Sequence, residues 1–91
     1  MEYEQKPSFI ESLKTLPQDR KEKVKEAIKK LVIFFETGEK SQGLGLKKIR
    51  KNFWEIRTNI KDRILFRVKN GVVEFIIVGK HDDIRRCLKL L

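Results

Sequence analysis

The side chains best suited to act on a charged substrate lie in the second half of this chain. Arg57 and Arg63 flank a short polar stretch, Thr58 to Asp62, and His81, the only histidine, follows Gly79-Lys80. Arginine forks bind phosphate oxygens bidentately and stay charged at any relevant pH. Histidine is the side chain whose ordinary pKa lies near neutrality, which suits it to proton donation. Two arginines holding a phosphate beside such a donor are the parts needed to cleave a phosphodiester. Lys47, Lys48, Arg50 and Lys51 border the same region from the N-terminal side.

These groups can meet only if the segments that carry them lie side by side. The run WEIRTNIKDRILFRVKNGVVEFIIVGK, residues 54 to 80, reads as three adjacent antiparallel strands. Successive strand residues point to opposite faces of a sheet. Trp54, Ile56, Ile64, Phe66 and Val68 therefore share one face, and Arg57, Arg63 and Arg67 the other. Asn70-Gly71 is a strong hairpin signal, because a type I′ turn needs positive φ at both central positions. A two-residue loop there pairs Lys69 with Val72, Val68 with Val73, Phe66 with Phe75 and Ile64 with Ile77, which puts Ile77 on the apolar face. On the cationic face Arg67 meets Glu74, and Arg63 lies across from Val78. Arg67 is thereby assigned to a cross-strand ion pair rather than to a ligand.

Upstream, residues 2 to 5 read as a short edge strand stopped by Lys6-Pro7. Ser8 and Glu11 have capping-box spacing, so a short helix is predicted from about Phe9. Pro17 breaks it and serves as the first residue of the next helix. In that second helix Val24, Ala27, Ile28, Leu31, Phe34 and Phe35 recur at spacings of three and four, while Arg20, Lys21, Lys23, Lys25, Lys29 and Lys30 mostly take the outer side. Gly38 ends it. Gly43 and Gly45 punctuate a loop, Leu46 to Arg50 reads as a strand, and residues 82 to 91 as a terminal helix with Ile84, Leu88 and Leu91 inward and Asp82 and Asp83 as its caps. The predicted order is β-α-α-β-β-β-β-α. This is an α+β fold, a small antiparallel sheet with a helical hairpin packed on one face and the other face at least partly open.

Composition sets the bounds. Ninety-one residues make one domain, 1–91, with a single core. Lys and Arg number 22 against 13 Asp and Glu, a net charge of +9 that favours nucleic acid, an acidic protein partner, or both. Cys87 is the only cysteine, which excludes an internal disulfide and a cysteine zinc site and makes a buried or incidental thiol the default. No phosphate loop, dinucleotide fingerprint or metal-ligand cluster occurs, so neither a cofactor nor a metal is expected. There is no apolar run of signal-peptide or membrane-spanning type, and a cytoplasmic location is expected.

The segments PSFIESLKTLPQDRKEKVKEAIKKL and LKKIRKNFWEIRTNIKDRILFRVKNGVVEFIIVGKHDDIRR together resemble the RelE/ParE superfamily of toxin–antitoxin toxins over nearly the whole chain. The strands WEIR and DRILFRV and the Gly-Lys-His turn before the last helix carry the likeness. It implies a small antiparallel sheet with a packed helical hairpin. It also implies, for the RelE branch, cleavage of mRNA in the ribosomal decoding site by attack of a ribose 2′-hydroxyl on the adjacent phosphate. On that resemblance Arg63 takes the place of the arginine that stabilises the charged phosphate, and Arg57 matches a basic position in the preceding strand. His81 stands where the turn motif usually places an arginine, and is inferred to protonate the leaving 5′-oxygen. Lys47, Lys48, Arg50, Lys51, Lys80, Arg85 and Arg86 are assigned to RNA contact. Many RelE-type toxins carry a tyrosine in the last helix, where this chain has Arg85, Arg86 and Cys87; its only tyrosine is Tyr3. The implied partners are the ribosome, mRNA and a small acidic antitoxin encoded alongside. The alternatives are a ParE-like gyrase inhibitor without nuclease activity, or a homologue that retains only antitoxin binding.

Overall fold

The computed structural model describes residues 1–91. Its elements are β1 (Glu2–Gln5), α1 (Pro7–Lys14), α2 (Gln18–Thr37), β2 (Lys47–Arg50), β3 (Phe53–Arg57), β4 (Arg63–Lys69), β5 (Val72–Gly79) and α3 (His81–Leu90). The order is the predicted one. Pro17 is the N-cap of α2 rather than its first residue, and Gly38 closes that helix at φ 79°, its N–H donating to the Phe34 carbonyl at 2.8 Å. The five strands form one sheet in the order β1-β5-β4-β3-β2. Three of its four pairings are antiparallel, but β1 runs parallel to β5, so the sheet is mixed. Alternation within a strand does not encode the direction of its partner. The parallel ladder continues to the N-cap of α1, where Lys6 N–H donates to the Phe75 carbonyl at 2.9 Å.

The hairpin forms as predicted at Asn70-Gly71, with φ 52° and 76°, and its first pairs are those expected, down to Phe66 opposite Phe75. Beyond that point the register shifts. Leu65 opposes Ile77, Ile64 opposes Val78 and Arg63 opposes Gly79, so the expected pairs of Ile64 with Ile77 and Arg63 with Val78 are not made. The extra residue in β5 is Ile76. Its carbonyl accepts from Ser8 Oγ at 2.6 Å, and Val78 N–H donates to Ser12 Oγ at 3.0 Å. Two hydroxyls one turn apart on α1 thus satisfy backbone groups at the bulge. Ser8 is accordingly not a helix cap, and α1 has no side-chain cap at its start.

The bulge sorts β5 between two cores. Val73, Phe75 and Val78 join Ile56, Ile64 and Phe66 beneath α1 and α2, where Phe9, Val24, Ala27 and Leu31 are buried. Ile77, expected on that face, instead borders the second cluster of Leu65, Ile76 and Ile84 under α3. The cationic face is therefore half covered by the terminal helix. Arg50 fastens the far end of α3, donating to the Leu88 carbonyl at 2.8 Å while its guanidinium lies 5.2 Å from the Phe53 ring centroid. Leu88 packs inward as expected, but Leu91 is exposed. At the near end Asp83 accepts from the Lys80 N–H at 2.9 Å. This is possible because Gly79 has no side chain: a Cβ there would lie 2.8 Å from Asp83 Oδ2.

One tie between layers was not expected. Arg20, assigned to the solvated side of α2, donates through Nε and Nη2 to Asp62 Oδ2 and Oδ1 at 2.7 and 2.5 Å. The Asp62 side chain has no exposed surface, whereas Arg20 keeps 31%. Asn59 accepts from the N–H groups of Lys61 and Asp62 and donates to Asp62 Oδ2, completing a locked turn between β3 and β4. The hydrogen bond from Arg20 is the main reason the Asp62 carboxyl ionises below its ordinary 3.8. A depressed carboxylate adds stability that is complete above the unfolded pKa and lost as pH falls through the folded one. Arg20→Gln is expected to cost about 3 kcal/mol in urea unfolding, since it strands a buried charge. The same variant should lose less stability than the parent on acidification, so the gap between them narrows as pH falls through the carboxylate range, because the Arg20 contact that depresses the Asp62 pKa is gone and desolvation alone raises it.

Candidate active site

The short turn puts Arg57 and Arg63 directly opposite one another as the last pair of β3 and first of β4, with Gly79 next in the row on β5. Both side chains lie on the face that α3 covers. Like charges directly opposite on neighbouring strands repel. The repulsion is relieved by Glu55, two residues before Arg57 on the same face, whose Oε1 accepts from Arg63 Nη1 at 2.8 Å. Glu55 is only 5% exposed, so Arg63 supplies the partner a buried carboxylate requires. Arg57 is exposed and engages no carboxylate.

Arg57 is positioned by its backbone. Its N–H donates to the Leu44 carbonyl at 2.8 Å, which brings the loop before β2 alongside. Gly45 lies against it at φ 62°, where an added Cβ would come within 3.1 Å of Arg57 Cβ. The guanidinium therefore leaves the sheet beside a position where only glycine fits comfortably.

His81 is the first residue of α3, exposed, two residues past the Gly79 that pairs with Arg63. It lines a cleft of about 170 Å³ between α3 and the β2–β3 edge, together with Glu55, Lys47 and Arg85 over a floor of Ile49, Ile84 and Leu88. Glu55 and His81 thus line one cleft, Arg63 reaches it through its bond to Glu55, and Arg57 lies opposite Arg63 without lining it. Glu55 was missed in the sequence reading, although parity alone places it with Arg57 and Arg63.

The other predicted contacts divide. Lys47 is opposite Glu55 in register and borders the cleft, as does Arg85. Lys48 also borders it, but its ammonium sits 5.8 Å from the Trp54 ring centroid. Arg50 is engaged with Leu88 and Phe53, and Lys51 occupies the turn at the opposite end of β3 from Arg57. Lys80 is exposed at the N-cap of α3, and Arg86 is exposed with Asp83 3.5 Å away. Arg67 pairs with Glu74 as expected, Nε to Oε1 at 2.6 Å, and Lys6 adds a second contact at 2.9 Å. Hydrogen bonds from Lys6 and then Arg67 hold the Glu74 carboxyl below the usual range. Cys87 is half-buried, and burial pushes its thiol pKa up, so it is a poor nucleophile. Tyr3 lies on β1, at the opposite edge of the sheet from β2 and β3.

No protein-family model matches the sequence, and no curated protein matches it. Solved structures do. The RelB–RelE antitoxin–toxin complex from Methanococcus jannaschii aligns with a TM-score of 0.69 at 20% identity, over 96% of this chain and 98% of that one. The DinJ–YafQ toxin–antitoxin complex from E. coli aligns at 0.74 and 13% identity, over 90% and 93%. A YoeB/ParE toxin from Agrobacterium tumefaciens aligns at 0.68 and 18% identity, over 89% and 99%. The chain thus has the fold of the RelE-like toxins, which is the fold the sequence resemblance implied.

Gly45→Ala tests the placement of Arg57. A side chain in left-handed backbone costs about 1–2 kcal/mol, so urea unfolding should register that loss. Gly43→Ala, whose added Cβ meets nothing within 4 Å, should cost the backbone strain alone, so the loss at Gly45 should be the larger of the two.

Proposed function

We propose that this protein is the toxin of a type II toxin–antitoxin pair and acts as a ribosome-dependent endoribonuclease on mRNA. The observation that supports the proposal is the chain of contacts at one end of the sheet, Arg57 opposite Arg63, Arg63 bonded to Glu55 and Glu55 lining a cleft with His81, with Arg57 free of any carboxylate.

In this reading Arg57 and Arg63 bind the non-bridging oxygens of the scissile phosphate and stabilise the charge that builds on them in the transition state. Arg63 keeps one nitrogen on Glu55 and turns the rest of its fork to the phosphate. Glu55 takes the proton of the ribose 2′-hydroxyl as its oxygen attacks phosphorus. His81 gives a proton to the departing 5′-oxygen as the phosphorus–oxygen bond breaks. The products are a 2′,3′-cyclic phosphate and a 5′-hydroxyl, and the two proton transfers balance. Each positioned acid or base is worth about 10²–10⁴-fold. Alignment of the chain on the ribosome supplies further acceleration. The net charge of +9 steers the protein to ribosomal RNA and makes binding salt-sensitive. Lys47 and Arg85 at the cleft, and Lys80 at the N-cap of α3, contact the RNA backbone. The same charge suits a small acidic antitoxin as the second partner.

Expression of the parent, Arg57→Ala, Arg63→Ala and His81→Gln in cells, with mapping of mRNA 5′ ends, tests this. The parent should produce codon-phased cuts. His81→Gln should lower the cleavage rate by about 10²–10³-fold, and either arginine variant should abolish detectable cuts. Growth arrest with intact mRNA and relaxed or cleaved DNA would overturn the ribonuclease reading in favour of gyrase inhibition.

A further inference from the structure

The largest cavity of the molecule is not the cleft. It encloses about 460 Å³, against about 170 Å³ for the cleft, and lies towards the other end of the same sheet face. Phe53 and Arg67, which border it, are the first pair in the β3–β4 register, whereas Arg57 and Arg63 are the last. Four residues separate the two pairs along β3, about 13 Å of strand. Helix α3 runs between the two sites, with His81 at the cleft and its C-cap, Leu91, at the cavity.

The lining has two kinds of surface. Phe53, Ile76 and Leu91 are apolar, and the start of α1 closes the wall. Against them stand Lys6, Arg67 and Glu74. Glu74 keeps 10% of its side-chain surface, and both its oxygens are taken: Oε2 by Lys6 Nζ at 2.9 Å, Oε1 by Arg67 Nε at 2.6 Å and by Nη2. Hydrogen bonds from Lys6 and Arg67 keep it ionised. The cations are less fully used. Lys6 keeps 45% and Arg67 37% of the side-chain surface, and Arg67 directs only Nε and Nη2 at Glu74, which leaves Nη1 for another acceptor. Two cations against one carboxylate leave a single positive charge in the wall. A cavity of this size with apolar walls and a few convergent polar groups is the form of a small-molecule site. Glu74 is engaged on both oxygens and Ser8 Oγ is committed to the Ile76 carbonyl, so the wall offers binding groups and no base or nucleophile. A nucleic acid strand fits poorly, because it brings a row of charges to one cation's worth of wall and sets them beside Glu74.

We propose that this cavity binds a small organic carboxylate, a monoanion with an aryl or alkyl body. The carboxylate accepts from Lys6 Nζ and Arg67 Nη1, and the body lies against Phe53, Ile76 and Leu91. The Phe53 ring also carries the Arg50 guanidinium that holds the Leu88 carbonyl. A ligand packed between Phe53 and Leu91 therefore adds contacts at the end of α3 that Arg50 already fastens, and stabilises the folded chain by mass action. The site is independent of the ribonuclease reading.

The probe is phenylbutyrate, with phenylbutanol as the uncharged control and butyrate as the control without a ring. Amide and methyl NMR shifts of the full chain follow the titration. Shifts at Phe53, Ile76 and Leu91 should saturate below about 10 mM, while those at His81 and Arg85 stay in place. Each control should bind at least about tenfold more weakly. Lys6→Gln should weaken phenylbutyrate binding about fivefold. Leu91→Asp, at an exposed position outside the ion pairs, should weaken it about tenfold by setting a second carboxylate at the mouth. It decides alone should Lys6→Gln disturb the fold through Glu74. Saturating phenylbutyrate should also raise the thermal midpoint of the parent and not that of Leu91→Asp. Shifts that never saturate, equal affinity for phenylbutanol, shifts centred on His81 and Arg85, or unaltered affinity in Leu91→Asp would overturn the proposal. A parent that never cleaves RNA would defeat the nuclease reading alone, because the titration does not depend on it.

Discussion

A carboxylate with no exposed surface can stay ionised only if something in the fold replaces its water, and Asp62 makes that demand at the place where the two layers must be joined. Arg20 answers it from the first turn of α2, with a two-point contact that fixes helix to sheet in both position and rotation. The turn that carries Asp62 is also the link between Arg57 and Arg63. The pair that locks the helical layer therefore also sets the spacing of the two arginines. Without it, residues 58 to 62 would be a short polar loop, free to let the strand ends separate.

The same arrangement recurs across the sheet. The buried polar and charged residues are Glu55, Asp62 and Glu74, and each is met by an arginine: Arg63, Arg20 and Arg67. Three of the 13 acidic residues are thus drawn inward and neutralised, while the cationic excess faces solvent. Arg57 is the sheet arginine left over. Its availability follows from its having no carboxylate opposite, rather than from any special property of its own surroundings. Glu55 has a double place in this scheme, since the carboxylate that keeps Arg63 oriented also opens onto the cleft that His81 enters.

Strand β5 shows how a single inserted residue can divide one strand between two cores. The bulge at Ile76, satisfied by Ser8 and Ser12, sends Val78 under α1 and α2 and turns Ile77 towards α3. It also moves Gly79 opposite Arg63, and α3 begins two residues later. Because Gly79 has no side chain, Asp83 can fold back on Lys80 N–H and His81 starts the helix at the cleft rather than beyond it. The cleft end of the molecule is therefore built by backbone chemistry as much as by its charged side chains.

What the sequence determined by itself is whatever depends on short-range periodicity. Alternation placed Trp54, Ile56, Ile64 and Phe66 on one face and the arginines on the other, Asn70-Gly71 set the hairpin and its first pairs, and Gly38 ended α2. The ion pair of Arg67 with Glu74 was legible for the same reason, being four pairs or fewer from the turn that fixes it. Contacts between distant segments were decided only in three dimensions. Arg20 and Asp62 are 42 residues apart, and Ser8 lies 68 from Ile76; no local pattern links either pair. The parallel direction of β1, the register beyond Phe66 and the covering of the arginine face by α3 belong with them. Each depends on which buried polar group finds which partner once the layers close, and that is a property of the packed chain rather than of any window along it.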